Sequence, residues 1–180
     1  MPDVVYYVAS SLDGYIATPD GGVDWLNPFQ ASGEDYGFVE FYSSMDGLLM
    51  GSRTYEVALK QGHWRASDKS SWVFTHRDLP LADPSVTLTS EDPAQVIESL
   101  GARGLKRVWL MGGGELAASF RMLGLISHYM IAIIPVVLGK GIPLFAAASR
   151  QDMLRLVESK PHPSGVMQLN YELKPEPKKR

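Results

Sequence analysis

Short apolar runs alternate along the chain with segments in which apolar residues recur at helical spacing. Apolar runs at residues 4–9, 47–51, 71–75, 86–88, 107–111 and 127–137 predict strands, several of them buried on both faces of a sheet. Residues 33–45, 52–59, 91–103 and 115–123 predict helices, the first of them capped by Ser32 and continuing to about Met45. The glycine- and proline-rich stretch 10–24 predicts a loop.

This order of elements indicates the fold class. Strands that alternate with helices predict an α/β domain with a mainly parallel sheet, covered by helices on both faces. Residues 153–159 and 166–173 alternate between apolar and polar side chains, so they predict a closing antiparallel hairpin. We expect one domain over residues 1–174 and a disordered tail at residues 175–180, which hold two prolines and three basic residues.

Charge and cysteine content exclude several classes of function. The net charge is −3, so no basic excess is present to neutralise a nucleic-acid backbone. The chain has no cysteine, which excludes a disulfide scaffold, a thiolate zinc site and a cysteine nucleophile. No apolar run approaches the roughly 20 residues that span a bilayer, and the acidic start of the chain is unlike a signal peptide. We therefore expect a cytoplasmic protein that uses no metal and binds neither nucleic acid nor membranes.

Three glycines, Gly112, Gly113 and Gly114, connect a predicted buried strand to a predicted helix that starts with Glu115 and Leu116. Glycine lets a ligand approach the backbone closely, and a helix N-terminus offers N–H groups and partial positive charge to a pyrophosphate. The alternative is a tight turn with no ligand. The spacing matches neither the Rossmann fingerprint nor the P-loop lysine motif.

Two more polar clusters follow predicted strands. The first is Gly51, Ser52, Arg53 and Thr54, and the second is Thr75, His76 and Arg77. Arginine binds phosphate with two hydrogen bonds and hydroxyl groups add more, although each cluster alone also fits a solvated turn. Ligands of open α/β sheets collect at the carboxyl ends of the strands. Three candidate phosphate sites at that edge suggest a ligand with several phosphates, such as a dinucleotide.

The chain resembles the dihydrofolate reductase-like superfamily. The resemblance rests on Ala-Ser-Ser-Leu-Asp-Gly-Tyr-Ile-Ala at 9–17, Met-Gly-Ser-Arg-Thr at 50–54 and the Gly112–Gly114 turn, in that order and spacing. Over residues 3–173 it is most similar to the C-terminal reductase domain of the riboflavin-biosynthesis bifunctional deaminase–reductase. The resemblance implies a three-layer α/β/α sandwich with an eight-stranded, mainly parallel sheet.

The same resemblance implies NADPH as the hydride donor and assigns residues to it. Ala9 and Ile16 would lie beside the nicotinamide, and Gly112 to Leu116 would hold the pyrophosphate. Arg53 and Thr54, after Gly51 and Ser52, would meet the phosphates, while Thr75, His76 and Arg77 would lie near the adenosine 2′-phosphate. The chain lacks the cysteines of the deaminase half, so no deaminase activity is expected.

Two departures bear on the substrate. Tyr7 stands where the riboflavin enzymes often have a lysine, and residues 56–59 replace their acidic stretch. Family spacing points to Asp35 as a candidate proton donor with a raised pKa inside the first helix, and to Trp25 as a candidate substrate-pocket residue. The alternative for Asp35 is that it only stabilises the helix N-terminus. His63 and Trp64 could line the substrate pocket or anchor a loop.

These inferences converge on a reductase that transfers a hydride from NADPH to a C=N or C=O bond of a heterocyclic or sugar-linked substrate. The nearest label is 5-amino-6-(5-phosphoribosylamino)uracil reductase of riboflavin biosynthesis. Two alternatives remain: a dihydrofolate reductase-like activity on a pterin, and a non-catalytic NADPH-binding protein. The long apolar strand at 129–137, the terminal hairpin and the family resemblance also predict a homodimer.

Overall fold

An eight-stranded sheet forms the centre of the molecule in the computed structural model, which describes residues 1–60 and 68–174. The strands are β1 (Asp3–Ser11), β3 (Gly47–Gly51), β4 (Ser70–Phe74), β5 (Val86–Thr89), β6 (Arg107–Gly112), β7 (Ile126–Ile134), β9 (Leu154–Pro161) and β10 (Met167–Leu173). Their spatial order is β5-β4-β3-β6-β1-β7-β10-β9. A separate two-stranded sheet pairs β2 (Tyr15–Ala17) with β8 (Ile142–Pro143).

The first six strands of that order are parallel, and the terminal hairpin is antiparallel. β1 pairs in parallel with both β6 and β7, whereas β10 pairs antiparallel with β7 and β9. The helices are α1 (Asn27–Gln30), α2 (Phe38–Ser43), α3 (Ser52–Lys60), α4 (Pro93–Ala102) and α5 (Gly114–Met122). The predicted fold class is confirmed, because a mainly parallel sheet with a closing hairpin is what the alternation of elements indicated.

Alternate residues of β1 serve the two faces of the sheet, as the two-residue period of a strand requires. Val4 and Tyr6 pack with α4 and α5, whose buried residues include Ile97 and Phe120. Val5 and Tyr7 pack instead with the region of α2, where Phe41 and Met45 are buried. Each face of the sheet therefore has its own apolar core, which produces three layers.

The predicted start of the first helix is wrong. Helix α2 begins at Phe38 rather than near residue 33, because Tyr36 and Gly37 adopt left-handed backbone conformations with φ of 53° and 74°. Such residues interrupt a right-handed helix. Ser32 does not cap α2: its hydroxyl donates to the carbonyl of Phe29, just after the short helix α1.

Two further boundaries differ from the sequence prediction. Strand β7 ends at Ile134, three residues early, because Pro135 has no N–H group to continue the ladder. The predicted loop at 10–24 contains the short strand β2, which the sequence did not indicate. The tail predicted at 175–180 lies outside the described residues.

Candidate active site

A cleft of about 1750 Å³ opens at the carboxyl ends of the parallel strands, where β1, β3 and β6 end side by side. Ligands of open α/β sheets bind at this edge. Of the residues selected from the sequence, the cleft is lined by Ala9, Ile16, Asp35, Gly51, Ser52, Arg53, Thr54, Arg77, Gly113, Gly114, Glu115 and Leu116. Trp25, Thr75, His76 and Gly112 do not line it. The structure thus brings three separate sequence clusters together in one cavity.

The glycine turn after β6 places the N-terminus of α5 against the cleft. Gly112 has a φ of 107°, which side chains rarely tolerate, and the Gly112–Gly113 peptide bond is cis. A Cβ atom at Gly114 would lie 2.7 Å from the carbonyl oxygen of Pro143, so the close approach of this segment requires glycine. The first N–H groups of α5 lack helical partners, as at any helix start, and can bind an anion.

A second helix start lies beside the first. Strand β3 ends at Gly51 and α3 begins at Ser52 with no intervening loop. A Cβ atom at Gly51 would lie 3.7 Å from the amide nitrogen of Gly113, and one at Gly113 would lie 3.8 Å from Thr54 Oγ1. Two helix N-termini and a threonine hydroxyl therefore meet in one small region, which fits the paired phosphates of a dinucleotide.

Cationic side chains flank these helix starts. Arg53, Lys60 and Arg77 all line the cleft, and Arg53 has no ion pair within residues 1–60 and 68–174. Arg77 donates from both terminal nitrogens to Glu56, at 3.2 and 2.8 Å, across the exposed rim. The hydrogen bond and charge of Arg77 lower the pKa of Glu56, so this carboxylate is ionised at neutral pH.

Thr75 and His76 do not line the cleft. The hydroxyl of Thr75 accepts from the backbone N–H of Arg77 at 3.0 Å, which fixes the turn that carries the arginine. His76 is exposed. Of the three residues after β4, only Arg77 lines the cleft, and direct contacts by Thr75 and His76 stay predictions.

The other half of the cleft is aromatic. Tyr7 lies edge-on to Phe41 at 4.5 Å between ring centroids and 6.2 Å from Trp109, and Phe38 lies 5.7 Å from Trp109. The indole of Trp109 donates a hydrogen bond of 2.9 Å to the carbonyl of Tyr7, which ties β6 to β1. Tyr7, Phe38 and Trp109 line the cleft, and planar apolar walls of this kind fit a flat heterocycle.

Sequence reasoning missed a chain of polar side chains behind this aromatic half. Glu34 contacts Nδ1 of His162, Nε2 of His162 lies 2.7 Å from Gln168 Oε1, and Gln168 donates to the hydroxyl of Tyr7 at 3.2 Å. Tyr7 and Glu34 lie more than 120 residues before His162 and Gln168 in the chain, so no local motif indicates the whole set. The only local signal is that His162 stands between two prolines, which marks a tight turn.

Asp35 lies before α2, not inside it, and its expected raised pKa is wrong. Its carboxylate accepts from the backbone N–H groups of Gly37 at 3.0 Å and Val39 at 3.3 Å. These bonds lower the pKa of Asp35 below its usual range. The side chain thus stabilises the helix start, which was the alternative interpretation. A role in catalysis stays a prediction for this residue, although it does line the cleft.

Trp25 packs behind the cleft. Its ring belongs to an apolar cluster with Ala132, Ile134 and Val166, and its buried Nε1 has no hydrogen-bond partner among the described residues. Contact with a substrate therefore stays a prediction for Trp25. His63 and Trp64 lie outside the described residues.

The Ser-Leu-Asp-Gly motif holds the cleft wall in place. The carboxylate of Asp13 accepts from the hydroxyl of Ser11 at 2.6 Å and from the backbone N–H groups of Leu138 and Gly139 at 3.1 and 2.7 Å. These bonds connect the loop after β1 to the segment after β7. The motif therefore supports the segment that places Ile16 at the cleft, without itself lining the cleft.

Residues 1–60 and 68–174 contain neither a metal-binding cluster nor a membrane-spanning helix. No group of three or more His, Cys, Asp or Glu side chains there is placed to hold a metal ion. No helix in the same ranges has both the length and the apolar character needed to cross a membrane.

Residues 2–167 match the family described as RibD C-terminal domain. The chain belongs to this family. The match covers both helix starts of the cleft and the aromatic half, so the described lining of the cleft lies within the matched residues. The family is a reductase domain of riboflavin biosynthesis proteins, which agrees with a cleft that combines dinucleotide-type features with an aromatic pocket.

Two Bacillus subtilis (strain 168) proteins are relatives of full length. The uncharacterized protein YwjB is 38% identical over 168 residues, which cover 93% of this chain and 95% of YwjB. The uncharacterized protein YyaP is 28% identical over 181 aligned positions, covering 93% of each chain. Stand-alone domains of this family therefore occur without the deaminase half.

Solved structures agree with the fold. A putative riboflavin biosynthesis protein from Shewanella sp. PV-4 has a TM-score of 0.87 and 28% identity, covering 97% of this chain and all of that one. The deaminase/5-amino-6-(5-phosphoribosylamino)uracil reductase from Thermotoga maritima has a TM-score of 0.71 and 17% identity, covering 96% of this chain and 57% of that one. The second likeness supports the three-layer fold alone.

Proposed function

We propose that this protein is an NADPH-dependent reductase. The observation that carries the proposal is the meeting of two helix N-termini, Thr54 and the cations Arg53 and Arg77 in one half of a cleft whose other half is aromatic. Membership of a reductase-domain family supports the same activity.

The residues present fit NADPH as a ligand. The backbone N–H groups of Gly113 to Leu116, at the start of α5, would hold the pyrophosphate, with Thr54 beside them. Arg53 and Arg77 would bind the 2′-phosphate with charge-assisted hydrogen bonds. Ala9 and Ile16 would pack against the nicotinamide, next to the aromatic half.

When bound, NADPH supplies a hydride to the carbon of a C=N or C=O bond, and a proton from water completes the reduction at the heteroatom. The protein contributes position and exclusion of water: the aromatic walls orient a flat substrate against the nicotinamide side. The nearest substrate is 5-amino-6-(5-phosphoribosylamino)uracil, on which the Thermotoga maritima enzyme acts by its name.

The first test is a titration with NADPH and NADH, followed by nicotinamide fluorescence. We expect NADPH to bind more tightly than NADH. Oxidation of NADPH is then followed with 5-amino-6-(5-phosphoribosylamino)uracil and, separately, with dihydrofolate. Turnover of the uracil substrate would support the proposed reductase activity. Turnover of dihydrofolate alone would replace it with a dihydrofolate reductase-like activity. Failure to bind either nucleotide by the folded protein would contradict the proposal.

We also propose that the protein is a homodimer. Strand β9 is one of the two edge strands of the main sheet, and its side chains Leu156 and Val157 are 50% and 45% exposed. An exposed apolar edge of this kind favours pairing with another chain. Light scattering at micromolar concentration should give twice the chain mass of 19.8 kDa, whereas the single mass would contradict the dimer.

A further inference from the structure

The polar chain behind the aromatic half ends at Tyr7, a residue that lines the cleft. It runs from Glu34 through His162 and Gln168 to Tyr7. The side chain of His162 is 2% exposed, and Gln168 and Tyr7 are half-buried. Burying polar groups is costly unless each is paired, so a complete chain of bonds is needed to place them here.

The direction of each hydrogen bond follows from the orientation of the Gln168 side-chain amide. Gln168 Nε2 lies 2.7 Å from the carbonyl oxygen of Tyr36, which can only accept, so this end of the amide is the nitrogen. The amide oxygen therefore faces Nε2 of His162, and that ring nitrogen donates to it. On the other side of the ring, Nδ1 of His162 contacts the side chain of Glu34.

These bonds leave the hydrogen of the Tyr7 hydroxyl available for a ligand. The second hydrogen of Gln168 Nε2 is donated to the Tyr7 oxygen at 3.2 Å, so this oxygen already accepts a bond. No described residue accepts the hydrogen of the Tyr7 hydroxyl. Burial also raises the pKa of Tyr7, which keeps the phenol neutral and able to donate.

The charged side chains near the Tyr7 hydroxyl limit the kind of ligand that can bind beside it. The cations in the described lining, Arg53, Lys60 and Arg77, all belong to the half formed by α3 and the turn after β4. The half that contains Tyr7 has the carboxyl groups of Glu34 and Asp35 and no cation in the described lining, with Lys160 outside the lining but close enough to lower the pKa of Asp35. Carboxylates repel an anionic group and tolerate a neutral ring.

We propose that the Tyr7 hydroxyl is the substrate-recognition donor of this site, giving its hydrogen to a carbonyl oxygen of a neutral nitrogen heterocycle, and that Gln168, His162 and Glu34 are positioning residues that hold it. The inference rests on the proposed function, because it assigns the substrate half of the same cleft. Phe41 and Trp109 keep the Tyr7 ring in place from the side, so the polar chain acts on the hydroxyl itself.

The test uses 5,6-diaminouracil as the probe, titrated calorimetrically into the full-length protein with and without NADP⁺. Loss of one neutral hydrogen bond corresponds to a roughly fivefold to tenfold weaker affinity, which we expect for Tyr7→Phe. Gln168→Leu should weaken binding to a similar extent. The double variant should lose no more than Tyr7→Phe alone, because Gln168 acts through Tyr7. A merely structural role of Gln168 would instead give additive losses.

Tyr42→Phe is the matched control. It removes the same hydroxyl from another tyrosine near the aromatic half, one that donates to Asp68 at 2.7 Å and does not line the cleft. Its affinity for the probe should equal that of the wild type. NADPH affinity should be unchanged in Tyr7→Phe, and the thermal midpoint, measured for every variant, shows that each one is folded.

The outcomes separate this inference from the proposed function. Wild-type affinity in Tyr7→Phe, additive losses in the double variant, or no binding of the probe by the wild type would each overturn the role of Tyr7, while NADPH binding would still support a reductase. Probe binding that depends on Tyr7 in a protein that binds no NADPH would support the recognition role and contradict the reductase activity.

Discussion

The two halves of the cleft differ in the groups that they offer to a ligand: mainly backbone in one half and side chains in the other. In the cofactor half, the groups that would contact the pyrophosphate are mainly backbone N–H groups at the starts of α3 and α5, each of which follows a strand that ends in glycine. In the substrate half, a ligand would contact side chains of β1, α2 and β6, and Gln168 of the terminal hairpin would hold the Tyr7 hydroxyl. One half thus depends on short segments, and the other on the packing of the whole sheet.

Because of this difference, the two halves should tolerate amino-acid substitutions to different extents. Backbone contacts survive most substitutions except those at the glycines, so a dinucleotide site of this kind can be kept while its neighbours vary. The substrate half changes when any one of its side chains does. Tyr7, in place of the lysine expected from the resemblance, is such a change. The comparison predicts that variants in the two halves will affect different ligands.

The largest effect is expected from Gly114→Ala, which tests the close packing behind the cofactor half. The new methyl group would meet the Pro143 carbonyl oxygen at 2.7 Å. Overpacking of this kind costs about 1–3 kcal/mol, so we expect that loss in the free energy of unfolding, measured by urea denaturation. Gly51→Ala is the control, because its methyl group would find ordinary contacts from 3.7 Å outward. Equal stability of the two variants would contradict the packing argument.

The next effect is expected from Arg77→Ala, which sharpens the separation of the halves. Loss of a charge-assisted hydrogen bond to phosphate corresponds to about a tenfold weaker affinity for NADPH. Affinity for NADH, which lacks the 2′-phosphate, should change little. Nicotinamide fluorescence measures both. Equal weakening for the two nucleotides would place Arg77 away from the 2′-phosphate.

A smaller effect of opposite sign is expected from Glu56→Gln. The carboxylate of Glu56 occupies Arg77 and adds negative charge beside the expected phosphate. The pair is exposed, and such pairs contribute little, so NADPH affinity should rise only about twofold to fourfold. Isothermal calorimetry gives the value. Weaker binding of NADPH by this variant would show that Glu56 orients Arg77 rather than competing for it.

The smallest effect is expected from Asp35→Ala, through its dependence on pH. Folding lowers the pKa of this carboxyl, so its contribution to stability is present above the pKa of the unfolded chain and is lost as the pH falls through the lower folded value. The thermal midpoints of wild type and variant should therefore differ at pH 6–7 and converge toward pH 3. A difference that grows as the pH falls would contradict the helix-capping role.

Sequence reasoning succeeded where the decisive interactions are local. The strands that end in Gly51 and Gly112, and the helices that follow them, were predicted because apolar runs, glycines and helix starts are neighbours in the chain. The parallel order followed from the alternation of elements. The placement of Arg53 and Arg77 on one cleft followed in turn, since parallel strands share a carboxyl edge.

The substrate half was not predictable in the same way. The start of α2 depends on the left-handed conformations of Tyr36 and Gly37, which the apolar spacing of the helix does not reveal. The bond from Gln168 to Tyr7 joins residues 161 positions apart, and that from His162 to Glu34 joins residues 128 apart. Only the folded sheet brings these side chains together.

The most direct test of the two-part cleft is an amide chemical-shift titration of ¹⁵N-labelled protein with NADP⁺. The account predicts that the largest shifts fall at Gly51–Thr54 and Gly113–Leu116, with small shifts at Glu34 and Gln168. Shifts centred on the aromatic half, or none at saturating nucleotide, would contradict the assignment of the cofactor to the two helix starts.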